Sequence, residues 1–238
     1  MKQLEEVTEV FYLDDVDAFE YPVSNVICYA NYYSKLSYRM YKRNTKFYLG
    51  TSYMPIRKVF QNCKPKHIKE QIETIMILSG GSDPYHVMEH IADLFKENQT
   101  VQLEIICGAY YPDFEDLKEK FSHCDKICFH QNVNNLEEFM EKADLAISAG
   151  GTTLYELCAK GTPAISYSFA DNQRHNVCQF DADGLISYAG DVRKDDVYRN
   201  VYRLYEEYKN MHLRKKLSEK MQEVMDGKGS ARIAELLS

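Results

Sequence analysis

The chain has 238 residues, 45% hydrophobic and 27% charged, with a formal net charge of -7, which describes an ordinary globular protein with room for one large domain or two small ones. The acidic balance argues against a general nucleic-acid binder, which needs a basic face. No apolar run approaches the roughly 20 residues of a membrane span, residues 1–15 carry acids rather than a signal-peptide pattern, and the seven cysteines follow no repeated spacing, so reduced thiols in a cytoplasm are expected.

In chain order, Val10–Leu13, Val26–Tyr29 and Lys46–Leu49 have the apolar, β-branched and aromatic character of strands, and only 31–43 between them is helical in character. Three strands and one helix make a poor independent domain. Residues 1–60 are therefore predicted to be a partial α/β segment, the remnant of an N-terminal domain. Residues 61–71, polar and containing Pro65, are the predicted linker.

From residue 72 the pattern becomes regular. Strand-like runs at Ile75–Leu78, Leu103–Cys107, Lys126–Phe129, Leu145–Ile147, Ala164–Tyr167 and Leu185–Ser187 alternate with helical segments. Val87, Ile91, Leu94 and Phe95 fall on one helix face. Alternation of this kind predicts βαβ units and a Rossmann-like parallel sheet over 72–225. Leu213, Leu217, Met221 and Met225 repeat every four residues, and Gly227 and Gly229 precede a final helix within 226–238. The run Leu213-Arg214-Lys215-Lys216 reads as the exposed side of that amphipathic helix.

Two strand-to-helix junctions carry paired glycines. After Ile77-Leu78 come Gly80-Gly81-Ser82-Asp83-Pro84, with Asp83 suited to an N-cap and Pro84 to the first helical position. After Leu145-Ala146-Ile147 come Gly150-Gly151-Thr152-Thr153. Either alone is as well explained by a tight turn. In a sheet ordered 3-2-1-4-5-6, however, the two strands are neighbours at the switch point, and both elbows open on one crevice. Free N–H groups and helix dipoles there suit a diphosphate, with Ser82, Thr152 and Thr153 adding hydroxyls. Neither loop matches a P-loop or the G-x-G-x-x-G fingerprint.

Glu156 has two readings. Thr153-x-x-Glu156 is a capping box, and spacing alone favours it; the carboxylate could equally accept both hydroxyls of a ribose. In Phe169-Ala170-Asp171-Asn172-Gln173, residues 171–173 would face the same crevice, where Asn and Gln suit sugar hydroxyls, or else Asp171 or Asn172 caps the next helix. A metal site is not predicted. His123, Cys124, Cys128 and His130 lack C-x-x-C spacing, and His86 and His90 lack the glutamate of H-E-x-x-H and a third ligand. His175 could reach the crevice.

"SGGSDP", "ISAGGTTLYELCAKGTPAI" and "ADNQ" together resemble the nucleotide-sugar hydrolase family of the pseudaminic acid pathway, which belongs with spore-coat polysaccharide proteins and, more distantly, the peptidoglycan GlcNAc transferase. "YLDD" at 12–15 and "YLGTSYMPIRKVF" at 48–60 are similar to that hydrolase's interdomain region. The resemblance implies the C-terminal half of a GT-B-type fold of surface-glycan biosynthesis, holding a UDP-sugar. Gly80, Gly81, Ser82, Asp83, Gly150, Gly151, Thr152 and Thr153 would lie at the nucleotide and its diphosphate, Glu156 at the ribose, Arg57 near the nucleotide, and Asn172 and Gln173 at the sugar. It implies no cofactor and no metal. The expected reaction is release of UDP from an activated amino sugar, with inversion at the anomeric carbon. The alternatives are a glycosyltransferase and a non-catalytic binding subunit. The family's first strands and histidine loop have no counterpart here, so catalysis would need another chain. Exposed strand edges in residues 1–60 would favour a homodimer or a partner chain.

Overall fold

The computed structural model describes every residue except 42, 43, 82 and 110, together with the side chains of 39 and 40. The chain forms two compact units, Met1–Cys63 with Val224–Ser238, and Lys64–Glu223.

In the first unit a short helix, α1 (Lys2–Glu5), precedes three parallel strands, β1 (Phe11–Asp14), β2 (Asn25–Cys28) and β3 (Lys46–Leu49), paired in that order with Phe11 opposite Asn25 and Asn25 opposite Lys46. The central strand β2 is wholly buried, as the middle of a parallel sheet requires. Its core gathers Tyr21, Val23, Val26, Cys28, Ala30 and Tyr38. Asp14 ends β1 buried, and its carboxylate accepts hydrogen bonds from the Tyr21 and Tyr38 hydroxyls and from the amides of Val16 and Asp17. Leu13, Val16 and Phe19 are exposed along the β1 side. The helix predicted over 31–43 is instead two short 3₁₀ turns, Tyr33–Lys35 and Ser37–Met40, with 42–43 outside the described residues. Seven of the eleven residues in 31–41 are Tyr, Ser or Asn, poor choices for a helix interior, because Ser and Asn compete for backbone hydrogen bonds and Tyr loses side-chain freedom there.

The second unit holds six parallel strands: β4 (Thr74–Leu78), β5 (Gln102–Cys107), β6 (Ile127–Gln131), β7 (Leu145–Ala149), β8 (Ala164–Ser168) and β9 (Ser187–Asp191). Their spatial order is β6-β5-β4-β7-β8-β9, so β4 and β7 are hydrogen-bonded neighbours with Ile77 opposite Ile147. The strands alternate with α2 (Val87–Phe95), α3 (Phe114–Lys120), α4 (Leu136–Lys142), α5 (Thr153–Lys160), α6 (Asp171–Ala182) and α7 (Val197–Tyr208), followed by α8 (Met211–Val224). The doubly wound parallel sheet is thus the Rossmann-like α/β architecture predicted from the alternation. Ile75, Ile77, Ile105, Ile147 and Ile165 are fully buried in one cluster, each contributing about 2 kcal/mol by leaving water. The last strand lies later than its predicted run, because Leu185 and Ile186 are buried in the turn that leads into β9.

One basic residue departs from its expected place. Arg214 on α8 is fully buried rather than exposed. Its Nε donates to Tyr208 O at 2.8 Å, and its Nη2 donates to the carbonyls of Lys69 and Glu70 at 2.9 and 2.8 Å. Three carbonyl acceptors offset part of the cost of burying the charge, and burial still pushes its pKa down. The final helix, α9 (Gly229–Leu236), belongs to the first unit, where Arg232 Nη1 donates to Ser52 O at 3.0 Å. Among the described residues no helix is long and apolar enough to cross a membrane.

Candidate functional site

A pocket of roughly 350 Å³ opens at the carboxyl ends of β4, β7 and β8, and all of its lining belongs to the second unit. It brings together Gly80, Gly81, Gly151, Thr152, Thr153, Asn172 and Gln173 of the residues singled out from sequence, joined by Ser79, Ser148, Ala149, Phe169 and Ala170. The topology produces this convergence. β4 and β7 point the same way side by side, so the loops that follow them leave the sheet at one edge.

The two elbows are built differently. In the first, the chain leaves Leu78 and turns at Gly80, whose φ of +77 a side chain would resist. Asp83 and Pro84 do not open the helix; α2 starts at Val87, with His86 at the N-cap in the left-handed region. Asp83 caps it nonetheless. Its buried carboxylate accepts from Val87 N and Met88 N, each at 2.9 Å, with the Ser79 hydroxyl at 3.4 Å. The α2 mouth is thus closed by its own aspartate, and what remains open is the loop. Ser82 lies outside the described residues.

In the second elbow, α5 begins at Thr153 with Thr152 as N-cap and no side-chain cap bond. The capping box read from spacing, with Thr153 as the cap, is therefore not the geometry adopted; Glu156 falls at the fourth helical position, half-buried and engaged in an interaction of its own. Among the described residues nothing bonds to the amides of Gly80, Gly81, Thr152 or Thr153. Gly150 N donates to Tyr167 O at 2.8 Å and Gly151 N to Ala149 O at 2.9 Å.

The glycines differ in the same way. A Cβ on Gly80, Gly81 or Gly151 would meet no protein atom within 4 Å; their bareness leaves space on the pocket side. A Cβ on Gly150 would overlap Val177 Cγ1 of α6. Gly150 is needed for helix packing, and it does not line the pocket.

The third wall is the start of α6. Gln173 Oε1 accepts from Phe169 N at 3.0 Å, pinning the turn, and Asn172 stands exposed beside it. Asp171 turns away to pair with Arg193 Nη2 at 2.6 Å. Arg193 also donates from Nε and Nη2 to the two oxygens of Asp191, which holds that carboxyl down at about 2. His175 is exposed and does not line the pocket. Arg57 lies in the first unit, its guanidinium 4.9 Å over the Phe60 ring. Buried thiols sit behind the elbows: burial, with the charge of Asp83, pushes Cys107 up to about 12, and burial raises Cys158 further, so neither is a nucleophile at neutral pH. Of the histidines weighed as metal ligands, His130 Nε2 pairs with Glu104 Oε2 at 2.5 Å, and His90 stacks on Tyr198. Among the described residues no group of three or more His, Cys, Asp or Glu is placed to hold a metal ion.

Sequence reasoning missed Asn176 and Tyr155. Asn176 is buried, its Nδ2 donating to Gly150 O at 3.1 Å and Gly151 O at 3.2 Å while its Oδ1 accepts from the Tyr155 hydroxyl at 2.9 Å. Spacing alone marks neither: Asn176 lies one turn beyond Asn172 and reads as an ordinary helix position. The arrangement can receive an anion: two bare loops and the open N-terminus of α5, in a pocket whose described lining carries no charged side chain.

Residues 74–237 match the family described as the glycosyltransferase family 28 C-terminal domain. The chain is 25% identical over 212 residues to the spore coat polysaccharide biosynthesis protein SpsG of Bacillus subtilis, covering 86% of this chain and 62% of that protein. It is 35% identical over 149 residues to a UDP-N-acetylglucosamine–N-acetylmuramyl-(pentapeptide) pyrophosphoryl-undecaprenol N-acetylglucosamine transferase of Helicobacter acinonychis, covering 58% of this chain and 40% of that one. The chain thus spans less than two thirds of these relatives. Among solved structures, MurG of Acinetobacter baumannii superposes with a TM-score of 0.66 at 14% identity, covering 97% of this chain and 67% of that chain, a likeness of fold.

Proposed function

Since the chain belongs to the glycosyltransferase family 28 C-terminal domain family, we propose that its pocket is the donor site of a GT-B-type glycosyltransferase and binds a UDP-sugar for surface-glycan assembly. One observation carries this reading: two glycine elbows converge on one pocket, and among the described residues nothing bonds to the amides of Gly80, Gly81, Thr152 and Thr153. A diphosphate fills such a site, because main-chain donors and a helix N-terminus offer several charge-assisted hydrogen bonds at once. The same groups stabilise UDP as it departs with its added charge. Glu156 is assigned to the ribose, and Asn172 and Gln173 to the sugar.

Transfer to an acceptor is preferred to hydrolysis, because relatives similar over the pocket-bearing region carry transferase names. The spore-coat relative, similar over 86% of the chain, supports a place in polysaccharide assembly without fixing the acceptor.

Calorimetric titration with UDP, UDP-GlcNAc and CMP tests the reading. UDP and UDP-GlcNAc are expected to bind and CMP is not. Glu156→Ala is expected to weaken UDP about tenfold, the equivalent of roughly 1.4 kcal/mol from lost charge-assisted bonds. Wild-type protein that ignores UDP would overturn the donor-site assignment, and equal UDP binding by both proteins would confine Glu156 to its helix.

A further inference from the structure

The two elbows share a feature that lies behind the pocket. On the second, Asn176 Nδ2 donates to both Gly150 O and Gly151 O. Carbonyls only accept, and the Tyr155 hydroxyl donates to Asn176 Oδ1, so the amide has one orientation that satisfies all four groups. On the first, the carbonyl oxygens of Gly80 and Gly81 face Gly108, in the loop after β5; a Cβ there would lie 3.0 Å from each oxygen and 3.1 Å from Gly81 Cα. Neither Asn176 nor Gly108 lines the pocket.

Peptide planarity converts this into a direction. Among the described residues all the peptide bonds are trans, and in a trans peptide the C=O and the following N–H point opposite ways. Gly151 O accepts from Asn176 Nδ2 at 3.2 Å as well as from Leu154 N at 3.3 Å, and its lying back turns Thr152 N–H forward. Gly108, lacking a side chain, leaves Gly80 O room to lie back against it, which turns Gly81 N–H forward. A peptide flip at either place would present an oxygen to the ligand instead.

We propose that Asn176, locked by Tyr155, and Gly108 are positioning residues that keep both elbows carbonyl-back and amide-forward, so that the pocket selects the diphosphate. This rests on the donor-site reading above. The selectivity is a property of peptide orientation, and the residues that set it touch no ligand.

The experiment titrates UDP and uridine against wild type, Asn176→Asp, Tyr155→Phe and Gly108→Ala, with thermal melts as a folding check. Asn176→Asp places a carboxylate against two carbonyls and is expected to weaken UDP at least tenfold while uridine changes less than twofold. Gly108→Ala is expected to weaken UDP about fivefold, and Tyr155→Phe about threefold, with uridine again unmoved. Folded variants that bind UDP like wild type overturn the proposal, and so does an equal loss for UDP and uridine, which is the mark of general loosening. Should Asn176→Asp fail to fold, Tyr155→Phe and Gly108→Ala decide by the same criteria. Wild type binding no UDP sinks the donor-site reading instead, a separate failure.

Discussion

The two glycine elbows look alike as sequence, strand, Gly-Gly, hydroxyl or acid, helix, yet they reach an open main chain by opposite routes. The first closes its helix with Asp83 and sets its loop carbonyls against Gly108; the second leaves the mouth of α5 open and has its loop clamped by Asn176. A paired glycine therefore does not say which amides are available. That depends on where the nearest buried polar side chain is used.

The largest expected effect separates adjacent glycines. Gly150→Ala pushes a methyl into Val177 and should cost about 3 kcal/mol, the upper range for overpacking. Gly151→Ala enters open space and should stay within about 0.5 kcal/mol while weakening UDP. Denaturant titration of both compares them directly, and equal destabilisation would erase the distinction between packing glycine and ligand glycine.

A smaller effect tests the first elbow. Asp83→Ala removes the acceptor for two helix amides and should cost about 2 kcal/mol by chemical denaturation. The capping role predicts that the folded variant still binds UDP within about twofold. A larger loss of affinity would place the carboxylate in the binding machinery.

The smallest effect concerns α6, the helix that carries Asn176. Arg193 holds Asp191 down at about 2, against about 3.9 for an unperturbed aspartate. A depressed carboxyl stabilises the fold above pH 4 and loses that contribution as pH falls towards 2. Arg193→Gln should remove the difference, so that the variant's melting temperature lies below wild type at pH 6 and converges on it near pH 2. Parallel curves would show that the pair does not link to folding.

The sheet was legible because it is written in periodicity. Six apolar runs separated by helices allow few arrangements, and the placement of β4 beside β7 follows from connection rules rather than from any single residue. The convergence of Gly80, Gly81, Thr152, Thr153, Asn172 and Gln173 came with it. What spacing could not supply was the use of side chains. Asp83 serves amides four and five residues away across a left-handed His86, and Arg214 turns inward because three carbonyls wait there. Asn176 reads as an ordinary helix residue until Gly150 and Gly151 are placed against it in space. The 31–43 segment misled because most of its large side chains are tyrosines, and the Tyr32 and Tyr38 hydroxyls bind Asp15 O and the Asp14 carboxylate instead of packing on a helix face.

The central claim is that both elbows hold one diphosphate, and amide chemical shifts of isotope-labelled protein report on it directly. On titration with UDP, the N–H resonances of Gly80, Gly81, Thr152 and Thr153 should all move with a single affinity, and uridine should leave them in place. Movement confined to one elbow, or identical movement with uridine, would contradict the account.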